Sequence, residues 1–317
     1  MAKLVVVALG GNAFQSRGDR GTPEEYWRNA YRAADVVARL VEKGYRVVVT
    51  HGNGPQVGVV VEWMYALASR IPPMTLDIAG AMTQGWLGYI LQQALRNTLA
   101  QRRLLGRVVR GVVTVVNQVR VDPRDPAFSN PTKFIGPWYS GEEAKRLARE
   151  RGWVMKPDPR GGWRRVVPSP DPIENIERDA VEALVDAGFV VIASGGGGVP
   201  VVEEGGALRG VEAVIDKDLA AERLASALRA SMLVILTDVD GVYLNYGTPH
   251  ARRLGTVRVG ELERYYEEGH FPPGSMGPKV LAAIRFIRSG GERAVIAHLS
   301  EGVEAVEGRA GTHVIPD

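Results

Sequence analysis

The sequence predicts an α/β fold: a three-layer αβα sandwich around a mainly parallel sheet of about eight strands, with a protruding, lid-like subdomain. Three observations carry this expectation. Apolar runs rich in β-branched residues alternate with helical patterns, as in a parallel sheet covered on both faces. Three of those runs end in glycine: Gly10-Gly11, Gly52-Asn53-Gly54, and Gly195 through Gly198. One long stretch, 121–170, breaks the pattern and is rich in Pro, Gly, Arg and Trp, the character of a lid or binding loop.

The elements follow in order. Lys3 to Leu9 reads as a buried strand. Thr22-Pro23-Glu24-Glu25 is a capping box with proline at the first helical position, so a helix runs from there to about Lys43. Tyr45 to Thr50 is a second strand, and helices follow near 55–69 and 75–102. The second of these carries two apolar stripes, Ile78, Met82, Trp86, Tyr89 and Ile90 on one and Leu87, Leu91, Leu95 and Leu99 on the other. One core needs one stripe, so the second suggests burial by another subunit. Val112 to Arg120 reads as a third strand, and the insertion holds a helix near Glu142–Arg151. Asp171-Pro172-Ile173-Glu174 reads as a capping box opening a helix that ends at Gly188. Phe189 to Ser194 is a strand, and 199–203 with 207–215 form a hairpin around Gly205-Gly206. A helix at 218–229, a strand at 232–238, a loop, helices near 259–268 and 278–288, and strands at 293–298 and 312–315 complete the chain. Two lobes are expected, 1–210 with the protruding subdomain at about 121–170, and 211–317.

Composition narrows the function classes. The chain has 317 residues, 45% hydrophobic and 24% charged, with no cysteine. Thiolate metal sites and cysteine nucleophiles are therefore excluded, and a reducing, cytoplasmic setting fits. No run approaches a membrane span, and the short apolar start meets glycines too soon for a signal peptide. The net charge of +3 is small and the basic residues are scattered, which argues against nucleic acid. Of 39 basic residues only seven are lysines: Lys3, Lys43, Lys133, Lys145, Lys156, Lys217 and Lys279. A lysine inside a Gly- or Pro-rich turn of such a chain invites a specific reason, because a compact ammonium suits small anions.

Three lysines sit in such turns. Lys217 lies between Asp216 and Asp218 where a strand-like run meets a helix, with Asp218 expected as the N-cap. Lys279 follows Gly274-Ser275-Met276-Gly277-Pro278, at the expected second position of its helix, and Lys133 lies in Asn130-Pro131-Thr132-Lys133-Phe134-Ile135-Gly136-Pro137. Each alone reads equally as an exposed charge, and Asp216-Lys217-Asp218 alone as a solvated turn. Together with three glycine turns at strand ends they form a clamp for a transferring phosphoryl group. Thr237-Asp238-Val239-Asp240-Gly241-Val242-Tyr243 adds a strand-end turn with an aromatic side chain suited to a nucleotide site. Lys156, in the same insertion as Lys133, reads as an ordinary lysine. There is no P-loop pattern, and Gly58 falls one residue late for a dinucleotide fingerprint. His51, beside the glycines, reads as a strand-end residue more readily than a catalytic one.

The stretches 8–13, 50–58, 77–85, 193–200, 213–220, 236–239 and 274–279 give the chain a family resemblance. It resembles the carbamate kinases of the amino-acid-kinase superfamily over nearly its whole length. The resemblance implies reversible phosphoryl transfer between ATP and carbamate, with Mg²⁺ bound mainly through nucleotide phosphates, a homodimer, and a place in arginine metabolism. It implies that Gly10, Gly11, Asn12, Gly52, Asn53 and Gly54 hold carbamate and the phosphoryl group. Lys133, Lys217 and Lys279 would contact the transferring phosphate, with Asp218 orienting them. Gly195, Gly196, Gly197, Gly198, Thr237, Asp238, Tyr243, Met276 and Gly277 would serve the nucleotide, with the ADP phosphates between Gly195–Gly198 and the Pro278 helix start. Many superfamily members carry lysine two residues before the Gly-Gly pair, where this chain has Ala8. Lys133 is the expected replacement, delivered to the cleft when the insertion closes. Other readings are another small-carboxylate or nucleoside-monophosphate kinase of this fold, and a non-catalytic effector-binding module.

Overall fold

The computed structural model describes residues 2–16, 18–158 and 161–317, with the side chain of Asn12 also outside the described part. Its centre is an eight-stranded sheet. Across the sheet the strands run Thr256–Arg258, Thr312–Ile315, Arg293–His298, Met232–Thr237, Leu4–Leu9, Arg46–His51, Phe189–Ile192 and Gly111–Thr114. Neighbours pair parallel except Arg293–His298 with Thr312–Ile315.

Leu4–Leu9 is buried along its whole length. A strand turns successive side chains to opposite faces, and its residues divide accordingly. Val5, Val7 and Leu9 pack with the helices Pro23–Glu42 and Leu76–Gln101, while Leu4, Val6 and Ala8 pack with Lys217–Ala227 and Met276–Arg288. Continuous apolarity in this strand therefore reflects two cores, one on each side, and the three-layer expectation holds. Burying a leucine such as Leu91 or Leu95 contributes about 2 kcal/mol relative to exposure.

The capping box at Thr22 forms as expected, with both reciprocal bonds to Glu25. On the helix Leu76–Gln101, Leu87, Leu91, Leu95 and Leu99 are fully buried. Of the other stripe, Ile90 is buried, but Ile78, Met82 and Tyr89 remain 42%, 49% and 57% exposed.

Several expectations are corrected. The run read as one strand over 112–120 is two: Gly111–Thr114 ends the main sheet, and Gln118–Val121 joins a four-stranded sheet with Val199–Glu204, Ala207–Gly210 and Pro172–Asn175. The break falls at Asn117, whose N–H donates to Gln84 Oε1 at 2.9 Å, so its backbone leaves the ladder. The hairpin ends at Gly210 and belongs to this second sheet, while Thr256–Arg258, read as loop, supplies the main sheet's edge. The apparent capping box at Asp171–Glu174 lies in strand instead, and its helix spans only Arg178–Asp186. There the Asp171 carboxylate pairs with Arg285 and that of Glu174 with Arg120. Long-range partners thus take both carboxylates that a local cap would need. The last correction concerns the lysine turns. Asp216, not Asp218, caps the helix Lys217–Ala227, and the helix holding Lys279 begins at Met276, placing Lys279 fourth.

The insertion is a folded unit. Lys133–Tyr139, Trp163–Val167 and Met155–Pro157 form a three-stranded sheet beside the helix Gly141–Arg151, which opens on a capping box at Ser140. It docks on the helix Gly54–Ala66. Tyr139 donates to Glu62 at 2.5 Å, Arg151 reaches the same carboxylate at 3.3 Å, and Arg151 stacks over Tyr65 and Trp153. The backbones meet so closely that a Cβ on Gly58 would lie 1.9 Å from Gly136 Cα. Gly58→Ala should therefore undock the insertion. We expect trypsin to cleave within 121–170 faster than in wild type and turnover to fall by about tenfold or more, because the reacting groups lose their alignment. Unchanged cleavage together with unchanged turnover would contradict the docking.

Candidate active site

The cleft lies at the carboxyl ends of the central strands, where open α/β sheets bind ligands. Gly10 follows Leu4–Leu9 and donates its N–H to Leu236 O at 2.8 Å. Gly52 follows Arg46–His51 and donates to Leu9 O at 3.2 Å. A Cβ on Gly52 would lie 3.1 Å from Lys217 Cδ and 3.9 Å from Gly11 N. The first two glycine turns and the Lys217 stem thus converge, and glycine is needed at 52 to let that stem pass.

Lys217 opens a charge cluster. Its ammonium pairs with Asp218 Oδ1, and Lys279 Nζ reaches Asp218 Oδ2 at 3.2 Å. Lys133, at the start of the first strand of the insertion, reaches Asp216 Oδ2 at 2.5 Å. The other oxygen of Asp216 accepts the N–H of Asp218 at 2.9 Å, which is the helix cap. Three ammonium groups therefore share two carboxylates, leaving one positive charge in excess.

Burial works against every member of this cluster. It alone would raise the Asp216 carboxyl, but the Lys133 ammonium outweighs it and holds that group well below the usual carboxylate range. Asp218 is likewise held down, its burial outweighed by Lys217 and Lys279. Lys217 is pushed down by burial, against the opposing pull of Asp218. For Lys279 the balance reverses, and Asp218 and Asp216 raise it despite burial.

Beside the cluster is a cavity lined by Thr237, Asp238, Tyr243, Met276 and Lys279, with Tyr246 and Phe271. The structure thus brings together four of the residues expected to serve a nucleotide, with Lys279 joining cavity and cluster. Gly277 lies in the same helix start, its N–H bonded to Pro272 O at 3.0 Å. Gly195–Gly198 are not among the residues lining this cavity. They are buried, and the N–H groups of Gly197 and Gly198 close a turn on Ser194 O and Gly195 O. Their missing side chains make room for neighbours: a Cβ on Gly195 would meet His51 Nε2 at 2.6 Å, on Gly196 Asn53 Nδ2 at 2.2 Å, and on Gly197 Ile215 O at 2.5 Å. The run packs the His51–Asn53 turn against the segment leading into Asp216.

Sequence reasoning missed Asp216 as a site residue in its own right, because the lysine it holds is distant in sequence. It also missed a buried polar ring. Asn117 donates to Asn175 Oδ1 and Asn175 to Ser194 Oγ, while Ser194 N–H returns to Asn117 Oδ1, each at 2.6 Å. This ring holds Ser194 at a φ of 51°, just ahead of the glycine run. Thr83 and Gln84, in the stretch 77–85, bond to Asn53 and to Asn117, partners that no local pattern announces. Lys156, expected to be ordinary, donates to Pro131 O at 2.7 Å and so braces the segment carrying Lys133. Ala8 is fully buried in the core. Among the described residues, no group of three or more acidic or histidine side chains could hold a metal ion, and no helix is long and apolar enough to cross a membrane.

A strand-end, anion-binding cluster joined to a cavity lined by aromatic side chains defines a phosphotransferase of the α/β class. A family model described as the amino acid kinase family matches residues 3–298, and the chain belongs to that family. Within it the similarity is to carbamate kinases. The carbamate kinase of Pyrococcus horikoshii is 56% identical over 318 residues, covering 100% of both chains. That of Clostridium perfringens is 44% identical over 98% of this chain and 99% of its own. The solved structure of the carbamate kinase from Giardia lamblia bound to AMP-PNP superposes with a TM-score of 0.91 at 42% identity, covering 100% of this chain and 99% of that one.

His51 carries a pH prediction. It is fully buried, its Nδ1 lies 3.2 Å from Gly52 O, and its Nε2 has no partner among the described residues. Burial pushes its pKa from 6.5 down to about 4. The unfolded chain then takes up a proton as pH falls through 6.5, while the folded chain cannot until about 4. Stability is full above pH 6.5 and declines toward pH 4, by about 2 kcal/mol from this group between pH 7 and pH 5. His51→Gln should show a correspondingly shallower loss of Tm over that interval. The depressed carboxyls of Asp216 and Asp218 act at more acid pH. Equal slopes for wild type and variant would contradict the assignment.

Proposed function

We propose that this protein reversibly transfers a phosphoryl group between ATP and carbamate, giving ADP and carbamoyl phosphate, with the roles of its residues set by the cluster around Asp216 and Asp218. The excess positive charge between the glycine turns and the cavity lined by Tyr243 and Met276 carries this reading. In it, lobe 1–210 binds carbamate at Gly10, Gly11, Asn12, Gly52, Asn53 and Gly54. Lobe 211–317 binds nucleotide at Thr237, Asp238, Tyr243, Met276 and Gly277, and Gly195–Gly198 shape the floor between them.

A carbamate oxygen is already an anionic nucleophile, so no general base is required. Catalysis reduces to alignment and charge stabilisation. Lys217, lying across Gly52, and Lys279, at the cavity edge, flank the path of the phosphoryl group. Lys133 adds a third charge from the insertion, which also shields the reaction from water. Asp216 and Asp218 fix the ammonium groups in advance, so little reorganisation is needed as charge develops. Lysines already occupy both carboxylates, so Mg²⁺ would be held by the nucleotide phosphates, where it neutralises their charge. We propose a homodimer through the face bearing Ile78, Met82 and Tyr89, with Trp63, Ile71 and Met74, all more than 40% exposed.

The test is ATP formation from ADP with carbamoyl phosphate, run beside acetyl phosphate and acetylglutamyl phosphate, with and without excess chelator. Activity should be greatest with carbamoyl phosphate and should vanish with the chelator. Lys133→Ala should lose roughly 10²-fold or more in kcat. The control is Lys145→Ala, at an exposed position on the insertion helix, which should lose little. Equal behaviour of the two variants would remove Lys133 from the mechanism.

A further inference from the structure

A site that takes carbamate must distinguish it from carboxylates of the same shape. Carbamate and acetate differ only in an amino group replacing a methyl. Shape barely separates them, whereas a fixed hydrogen-bond acceptor facing the amino group would.

Thr83 is fully buried on the helix Leu76–Gln101. Its hydroxyl lies 2.7 Å from Gly80 O and 2.7 Å from the Asn53 side-chain amide. A carbonyl oxygen can only accept, so the single Thr83 hydroxyl proton goes to Gly80. Toward Asn53 the hydroxyl can then only accept, which requires Asn53 to present Nδ2 to it. The opposite amide orientation would set two acceptors face to face at 2.7 Å. Network logic of this kind decides amide orientation where hydrogens are not seen.

The consequence falls on the other end of the amide. Asn53 follows Gly52, the residue against which Lys217 lies, so its side chain belongs to the carbamate turn. Gly196 fixes the plane of the amide, which lies across it where a Cβ would be 2.2 Å from Nδ2 and 2.7 Å from Oδ1. Among the described residues Oδ1 accepts no hydrogen bond, and it is not one of the sealed, partnerless polar atoms. We infer that Thr83 is a positioning residue that locks Asn53 with Oδ1 toward the substrate, where it accepts from the amino group of carbamate or carbamoyl phosphate and so selects against acyl analogues. Thr83 touches no substrate. It acts by denying Asn53 the flipped orientation, in which a donor would face the amino group.

This inference rests on the proposed carbamate reaction and is tested separately from it. kcat/KM is measured with carbamoyl phosphate and with acetyl phosphate, at saturating ADP, for wild type, Thr83→Val and Thr83→Ser. Wild type should prefer carbamoyl phosphate strongly. Thr83→Val keeps the shape but loses the acceptor, and should lower that preference by roughly 10²-fold, through loss on carbamoyl phosphate rather than gain on acetyl phosphate. The KM for ADP should not move. Thr83→Ser retains the hydroxyl and should restore the preference to within a few-fold of wild type. If Thr83→Val does not fold by its melting transition, Thr83→Ala removes the same oxygen and is read the same way. An active wild type whose preference survives loss of the Thr83 hydroxyl would overturn the inference and leave the reaction standing. A wild type inactive with carbamoyl phosphate would overturn both.

Discussion

Two neighbouring carboxylates hold the working parts of this molecule together. Asp216 and Asp218 bind ammonium groups from three places far apart in the chain: Lys133 in the insertion, Lys217 beside them, and Lys279 on the helix Met276–Arg288. Asp216 does two jobs, because its second oxygen also caps the helix that carries Lys217 and Asp218. The orientation of that helix start and the position of the insertion are therefore coupled through one side chain. All of these groups are substantially buried, and breaking one buried pair strands the surviving charge, which is costlier than the pair's own net worth. The cluster is thus a constraint on conformation more than a source of stability.

Charge balance then governs the chemistry. Two carboxylates cannot neutralise three ammonium groups, and the remainder sits beside the first two strand-end turns. That arrangement suits an acceptor that is already anionic and a phosphoryl group that passes with little covalent help. Ala8 packs in the core beside the helix Lys217–Ala227, and Lys133 of the insertion pairs with Asp216 at the start of that helix.

Close backbone approach sets the remaining distances. Gly58 against Gly136 seats the insertion, and Gly196 beneath Asn53 lets an amide lie flat in the floor of the cleft. Each contact leaves less than the space of a methyl group, so these glycines are fixed by what lies opposite them. The exposed stripe of Ile78, Met82 and Tyr89 lies on the same helix, Leu76–Gln101, that carries the buried Thr83.

The sequence by itself determined the layered fold, the strand-end glycine turns and the three lysines, because these depend on local patterns: apolar runs, helix periods, and cations in turns of an arginine-rich chain. Thr22 shows such a rule succeeding, since its capping partner Glu25 has no distant competitor. Asp171 and Glu174 show the same rule failing, because Arg285 and Arg120 claim their carboxylates from far along the chain. The split at Asn117, the cap at Asp216 rather than Asp218, and the pairing of Thr83 with Asn53 were decided only in the tertiary structure. In each, the deciding partner is remote, and a buried polar group must take whichever partner the packed fold brings within hydrogen-bond reach.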